Sequence, residues 1–130
     1  MKLKEAAVLF VEDEPFLRDS MGAWLARKAG RAICAGHGAE ALEILAANKI
    51  DLLLTDLRMP VMDGIALVKR LQKTGDRPRV ILVTGFNDPA IQDAHKLGVD
   101  AVVEKPIDRG ELLRAMQRCL EYGKSEADQA

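Results

Sequence analysis

This 130-residue chain has little cysteine, little histidine, no surplus of either charge and no long apolar run. Cys34 and Cys119 lack CxxC spacing, which speaks against a zinc site or a disulfide framework. One falls in an apolar run and the other on an apolar helical face, so core packing is the expected role for both. His37 and His95 lie far apart without ligand spacing and are expected on the solvated surface. With 19 basic and 20 acidic residues the formal net charge is −1, so nothing drives non-specific binding to nucleic acid, and direct contact with it is not expected. The apolar runs are too short to span a bilayer, so no membrane segment is expected. Met1-Lys2-Leu3-Lys4-Glu5 leads straight into a strand-like run without a secretory h-region or cleavage site. A cytoplasmic location is the expectation.

What is present is a repeated alternation. The runs Ala6–Val11, Ala32–Ala35, Leu52–Leu54, Val80–Val83 and Ala101–Val103 are short, continuous and rich in branched residues, as strands covered on both faces require. Between them, apolar residues recur at helical spacing: Leu17, Met21, Trp24 and Leu25; Leu42, Leu45 and Ala46; Gly64, Leu67, Val68 and Leu71; Ala90, Ala94 and Leu97; Leu112, Met116, Cys119 and Leu120. Trp24, Met21 and the leucine stripe read as core, not as a cofactor box. Pro15 suits the first turn of helix one, and Gly30, Gly75 and Gly98 sit where helices one, three and four should stop. Five β-α units imply right-handed crossovers and helices on both faces of one parallel sheet, hence an α/β domain in three layers. That domain is expected over residues 1–122, with 123–130 as a polar tail or the start of a linker.

Four of the five runs end in ionisable or hydroxyl residues: Glu12-Asp13, Asp56, Thr84 and Lys105. On parallel strands all of these open at one sheet edge, where α/β folds bind ligands. Three carboxylates close together cannot all stay ionised unless a cation compensates them. Carboxylates, a carbonyl and waters suit Mg2+, and no thiolate or imidazole cluster competes for a softer metal. Lys105 and Thr84 suit the oxygens of a phosphoryl group, which leaves Asp56 as the nucleophile.

Glu12-Asp13 after strand one, Asp56 after strand three, Leu57-Arg58-Met59-Pro60-Val61-Met62-Asp63-Gly64, Thr84-Gly85 after strand four and Lys105-Pro106 after strand five together resemble the receiver domain of two-component response regulators. Each motif alone is weak, but their order and placement are specific, and the likeness covers roughly residues 6 to 122. The resemblance implies a CheY-like, flavodoxin-like (βα)5 fold with a five-stranded parallel sheet in the order 2-1-3-4-5. It also implies phosphorelay signal transduction, in which a histidine kinase or phosphotransfer protein phosphorylates Asp56. Asp13, Asp56 and the backbone carbonyl of Arg58 would ligate Mg2+, or Mn2+ in its place, with Glu12 acting through a water. Lys105 would pair with the carboxylate and then with the phosphoryl group, Thr84 would bond a phosphoryl oxygen, Gly85 would keep the entrance open, and Lys105-Pro106 would be cis. Such a domain is a self-phosphorylating signalling switch, not an enzyme with a separate substrate.

The output face implied by the family is helix four, strand five and helix five, here roughly Asp88 to Tyr122, with Lys96, Asp100, Glu104, Arg109 and Arg114 as its exposed charges. It would contact an output domain, an effector or a second copy of the chain. Three departures stand out. Val102 occupies the position where many receivers carry Tyr or Phe, which puts aromatic switching in doubt. Arg58 and Phe86 border the phosphoryl group and could shield it from water, so a long-lived phosphoform is expected. Glu12 replaces a frequent aspartate.

Other readings remain open. Asp63-Gly64 and Pro60 are expected to serve as a helix start and a loop stiffener. A haloacid-dehalogenase-like phosphohydrolase would need an acid two residues after the nucleophile, where Arg58 stands. A flavodoxin would need a Ser/Thr/Gly-rich phosphate loop where Glu12-Asp13-Glu14 stands. A receiver-like interaction module independent of phosphorylation is the third alternative.

Overall fold

Runs with consecutive apolar residues are satisfied only where both faces of a sheet are covered. The computed structural model, which describes residues 1–73, 77–85 and 87–121, covers them in that way. The strands are β1 (Ala7–Val11), β2 (Arg31–Ala35), β3 (Leu52–Asp56), β4 (Arg79–Thr84) and β5 (Ala101–Glu104). They alternate with α1 (Pro15–Lys28), α2 (Gly38–Ala47), α3 (Gly64–Leu71), α4 (Ile91–Lys96) and α5 (Arg109–Glu121). The sheet is parallel throughout, in the expected order β2-β1-β3-β4-β5. Tyr122, the expected tail over 123–130, Gly75 and Phe86 lie outside the described residues.

The two-residue period of a strand sends alternate side chains to opposite layers. Leu9, Val11, Leu53, Val80 and Leu82 meet Ala41 of α2, Leu67 and Val68 of α3 and Ala94 of α4. Val8, Phe10, Leu52, Leu54, Ile81 and Val103 meet Met21, Trp24 and Leu25 of α1 and Leu112, Met116 and Cys119 of α5. Arg109 closes the α1–α5 seam, its guanidinium 5.6 Å from the Trp24 ring centroid. Both cysteines pack as expected, Cys119 buried and Cys34 half-buried; burial pushes the Cys119 thiol up to about 11 and raises that of Cys34. Neither offers a reactive thiolate near neutral pH.

Several expectations need correction. Leu17, expected on the buried stripe of α1, is 51% exposed, and Phe16 beside it is 78% exposed. The buried face of α1 is carried by Met21, Trp24 and Leu25 and begins beyond its first turn. Ala46 is exposed, because α2 turns Ala41, Leu42, Ile44 and Leu45 inward instead. Gly30 directly follows the Ala29 cap of α1, where that helix is expected to stop, whereas α3 ends at Leu71, before Gly75. Gly98 does end α4, at φ 75°, a conformation that favours glycine. Asp100 is not a free surface charge: its carboxylate accepts from the Val80 amide at 2.8 Å and lies 3.9 Å from Arg77. His37 is exposed as expected, but its Nδ1 also caps α2 by accepting from the Glu40 amide at 3.1 Å.

Candidate functional site

The parallel sheet delivers the candidate residues to the carboxyl ends of its strands by register alone. Asp56 pairs with Val83, and Thr84 with Glu104, so the acid, the hydroxyl and the lysine that follows β5 end in one row. Backbone bonds hold the row together. The Glu12 amide donates to Ala35 O at 3.1 Å, Leu57 to Val83 O at 2.9 Å, and Lys105 to Thr84 O at 2.7 Å. The Lys105-Pro106 bond is cis.

α1 begins beside this row for local reasons. Glu14 caps it, accepting from the Phe16 and Leu17 amides at 3.1 and 2.7 Å, and Pro15 supplies a first-turn residue that needs no amide partner. Arg18, one turn on, donates to Glu12 O at 3.0 Å. α3 is set just as closely: Asp63 caps it through the Ala66 amide at 2.8 Å, and the Gly64 amide donates to Leu57 O at 2.8 Å. A Cβ on Gly64 would stand 2.7 Å from Asp56 O, so only glycine lets α3 start against the end of β3. Asp63 and Gly64 therefore have the structural roles expected of them. Between them and Asp56, Val61 adopts φ 69° in a tight turn closed by the Met62 amide on Pro60 O at 2.8 Å, with its side chain fully exposed.

Glu12, Asp13 and Asp56 each offer a carboxylate oxygen within 4.8 Å of the others. Glu12 and Asp56 are each 5% exposed, whereas Asp13 is open to solvent. Lys105 Nζ lies 2.8 Å from Asp56 Oδ2 and is the cation paired with this cluster among the described residues. One ammonium against three carboxylates leaves the cluster short of positive charge, and a donor set made wholly of oxygen fits a hard divalent cation such as Mg2+. Burial pushes the Glu12 carboxyl above its ordinary value of 4.5; its contact with Asp13 and the charge of Asp56 add to this, while the Glu14 amide and Lys105 oppose it.

A raised carboxylate makes the folded state bind more protons than the unfolded chain, so metal-free stability should fall as pH rises from 4.5 through the folded value. Glu12→Gln is expected to remove that slope and Mg2+ to reduce it. Urea midpoints across that window, for wild type and variant, check this; identical slopes would refute it.

The remaining candidates have distinct surroundings. Thr84 is buried, its hydroxyl 3.4 Å from both Gly85 O and Asp88 Oδ2. A Cβ on Gly85 would meet nothing within 4 Å. Val102 is half-buried against the core. The Arg58 guanidinium is engaged by Asp88, a residue that sequence reasoning took only as the start of the output face. Nothing in the spacing of positions 58 and 88 signals that pair; it exists because the β3–α3 and β4–α4 loops leave neighbouring strands side by side. Among the expected output-face charges, Lys96, Glu104, Arg109 and Arg114 are exposed, and Arg109 also lies over Trp24 and reaches Ser20 Oγ at 3.4 Å. A cavity of about 620 Å³ lies at the other end of the sheet, lined by Ile50, Asp51, Arg77 and Arg79. It is remote from the acidic cluster, and Arg77 and Arg79 donate to backbone carbonyls of Pro78, Gly98 and Cys119. No helix among the described residues is long and apolar enough to cross a membrane.

A family model described as the response regulator receiver domain matches residues 8–117. The chain is 34% identical over 130 residues to the transcriptional regulatory protein GlrR of Escherichia coli (strain K12), covering 99% of this chain and 29% of that protein. It is 30% identical over 114 residues to sporulation initiation phosphotransferase F of Bacillus subtilis (strain 168), covering 87% of this chain and 92% of that one. The crystal structure of a response regulator receiver protein from Pseudomonas putida matches with a TM-score of 0.80 at 31% identity, over 88% of this chain and 97% of that chain. The chain thus spans less than a third of the regulator's length and nearly all of the phosphotransferase's.

Proposed function

The chain belongs to the response regulator receiver domain family, a signalling domain of two-component systems, and from that premise we propose that it accepts a phosphoryl group on Asp56. The observation that carries this reading is the Lys105 ammonium 2.8 Å from Asp56 Oδ2, within an acidic cluster at the carboxyl edge of the sheet in which Glu12 and Asp56 are buried. An Asp56 carboxylate oxygen forms a bond to phosphorus as the donor's P–N bond breaks. The electron pair leaves with the donor imidazole of a histidine kinase or phosphotransfer protein. With a small acyl phosphate the bond that breaks is P–O, and the carboxylate leaves.

Lys105 first holds the Asp56 carboxylate in place, then shifts its charge to the transferred group. Thr84 donates a hydrogen bond from its hydroxyl to a phosphoryl oxygen, exchanging two contacts of 3.4 Å for a charge-assisted bond. Asp13, Asp56 and the Arg58 carbonyl would hold Mg2+ or Mn2+, with Glu12 reaching it through a water. Bound there, the ion would offset the negative charge gathered by the cluster and the phosphoryl oxygens. The transition state is loose, so alignment and charge neutralisation supply most of the acceleration. Arg58, two residues after Asp56, is a cation held by a carboxylate and cannot serve as the leaving-group acid that a phosphohydrolase requires.

The phosphoryl group then favours whichever conformation contacts it more strongly; a shift from 1:99 to 99:1 needs about 5.5 kcal/mol of differential interaction. The path from Thr84 to α4, β5 and α5 runs through an aliphatic Val102, without an aromatic side chain to swing. The face so altered would engage an output domain, an effector or a second copy. Intact mass after incubation with Mg2+ and an acyl phosphate tests the reading. One phosphoryl adduct that requires the metal is expected; none, with Mg2+ bound, would favour an interaction module independent of phosphorylation. Slow decay after donor removal would support the expected shielding of the phosphoryl group by Arg58 and Phe86.

A further inference from the structure

Asp88 stands in the turn that leads from β4 to α4 and is engaged from several directions. Arg58 grips it with a two-pronged ion pair, Nε to Oδ2 at 2.9 Å and Nη2 to Oδ1 at 2.6 Å. The Ala90 amide donates to Oδ1 at 3.0 Å, and the Thr84 hydroxyl lies 3.4 Å from Oδ2. The Asp88 side chain is 11% exposed and that of Arg58 62%, so the carboxylate is the covered half of the pair. Its own carbonyl accepts from the Ile91 amide at 3.1 Å. Ala90, the residue just before α4, makes no side-chain cap, so Asp88 is what orders the start of that helix. The guanidinium beside it holds the Asp88 carboxyl down at about 2, so the pair is ionised throughout the physiological range.

We infer that Asp88 is a positioning residue of the phosphoacceptor site: it holds Thr84 and Arg58 in the resting arrangement, and a phosphoryl group on Asp56 draws both away from it. This rests on the phosphoacceptor reading above. A threonine hydroxyl has one proton to donate and cannot serve Asp88 and a phosphoryl oxygen together. Arg58 follows Asp56 by two residues, and its planar five-donor fork matches phosphoryl oxygens as well as it matches a carboxylate. A doubly charged group near the Asp88 carboxylate also adds like-charge repulsion. All three effects act in one direction. Asp88 loses Thr84 and Arg58, and the turn anchored by its bond to the Ala90 amide is released where α4 begins. Resting contacts of this kind oppose phosphorylation, so removing them should favour it.

The test uses Asp88→Asn, which keeps the size and an acceptor for Ala90 but removes the charge. With Mg2+ and an acyl phosphate, adduct formation should be about two- to fivefold faster than wild type, the range set by loss of an exposed ion pair. Asp88→Glu restores the charge and should return the rate toward wild type, which a purely structural role would not require. Asp88→Ser, which retains a turn acceptor, replaces Asp88→Asn if that variant does not fold. In wild type, hydrogen exchange at the Ala90 amide should speed up on phosphorylation. A wild-type adduct whose rate is unchanged or slowed in the uncharged variants overturns this inference alone. A wild type that takes no phosphoryl group overturns the phosphoacceptor reading, and this inference with it.

Discussion

Asp56→Asn is expected to leave no phosphoryl adduct under conditions that phosphorylate the wild type fully. The amide occupies nearly the same volume and can still accept a hydrogen bond from Lys105, but its oxygen lacks the negative charge needed to attack phosphorus. The substitution also takes one charge from a crowded acidic cluster, where like charges oppose one another's ionisation. Folding should therefore hold or improve, so a lost adduct cannot be blamed on unfolding. Intact mass with a urea titration on the same sample separates the two effects. An Asp56→Asn protein that still gains one phosphoryl group would place the acceptor elsewhere, with Asp13 the first candidate to map.

Leu54→Ala should produce the largest loss of stability, about 2–5 kcal/mol, from removed transfer free energy and the cavity left behind. Leu54 is fully buried on the central strand, in register with Phe10 of β1 and Ile81 of β4, beneath the layer formed by α1 and α5. Both flanking strands are hydrogen-bonded in the sheet, which limits collapse into the space. Against a typical domain stability of about 5–15 kcal/mol, the change is a large fraction of the total. Leu54 also precedes Asp56 by two residues and so shares its face of the strand. Adduct formation per folded molecule should therefore slow as well. A urea midpoint within the error of wild type would show that the core repacks around the gap.

The strands and their placement were legible because a buried parallel strand announces itself as an unbroken apolar run. Helix positions were legible from their spacing, although Leu17 and Ala46 were misplaced. Periodicity reports which residues share a face, but not whether another element reaches far enough to cover it, and Leu17 in the first turn of α1 stays exposed. Glu14 and His37 went unnoticed as caps. Their roles depend on backbone amides that are free only once a helix start is known.

The acidic pair, Asp56, Thr84 and Lys105 could be assigned to one site from sequence alone, because parallel strands bring all their carboxyl ends to one edge and chain order then suffices. Tertiary structure decided what these residues touch. Lys105 meets Asp56 across β4, Gly64 packs onto the Asp56 carbonyl, and Arg58 finds Asp88 across 30 positions of chain. Such pairings follow from which loops lie side by side in a twisted sheet, and no spacing within a single segment encodes that adjacency.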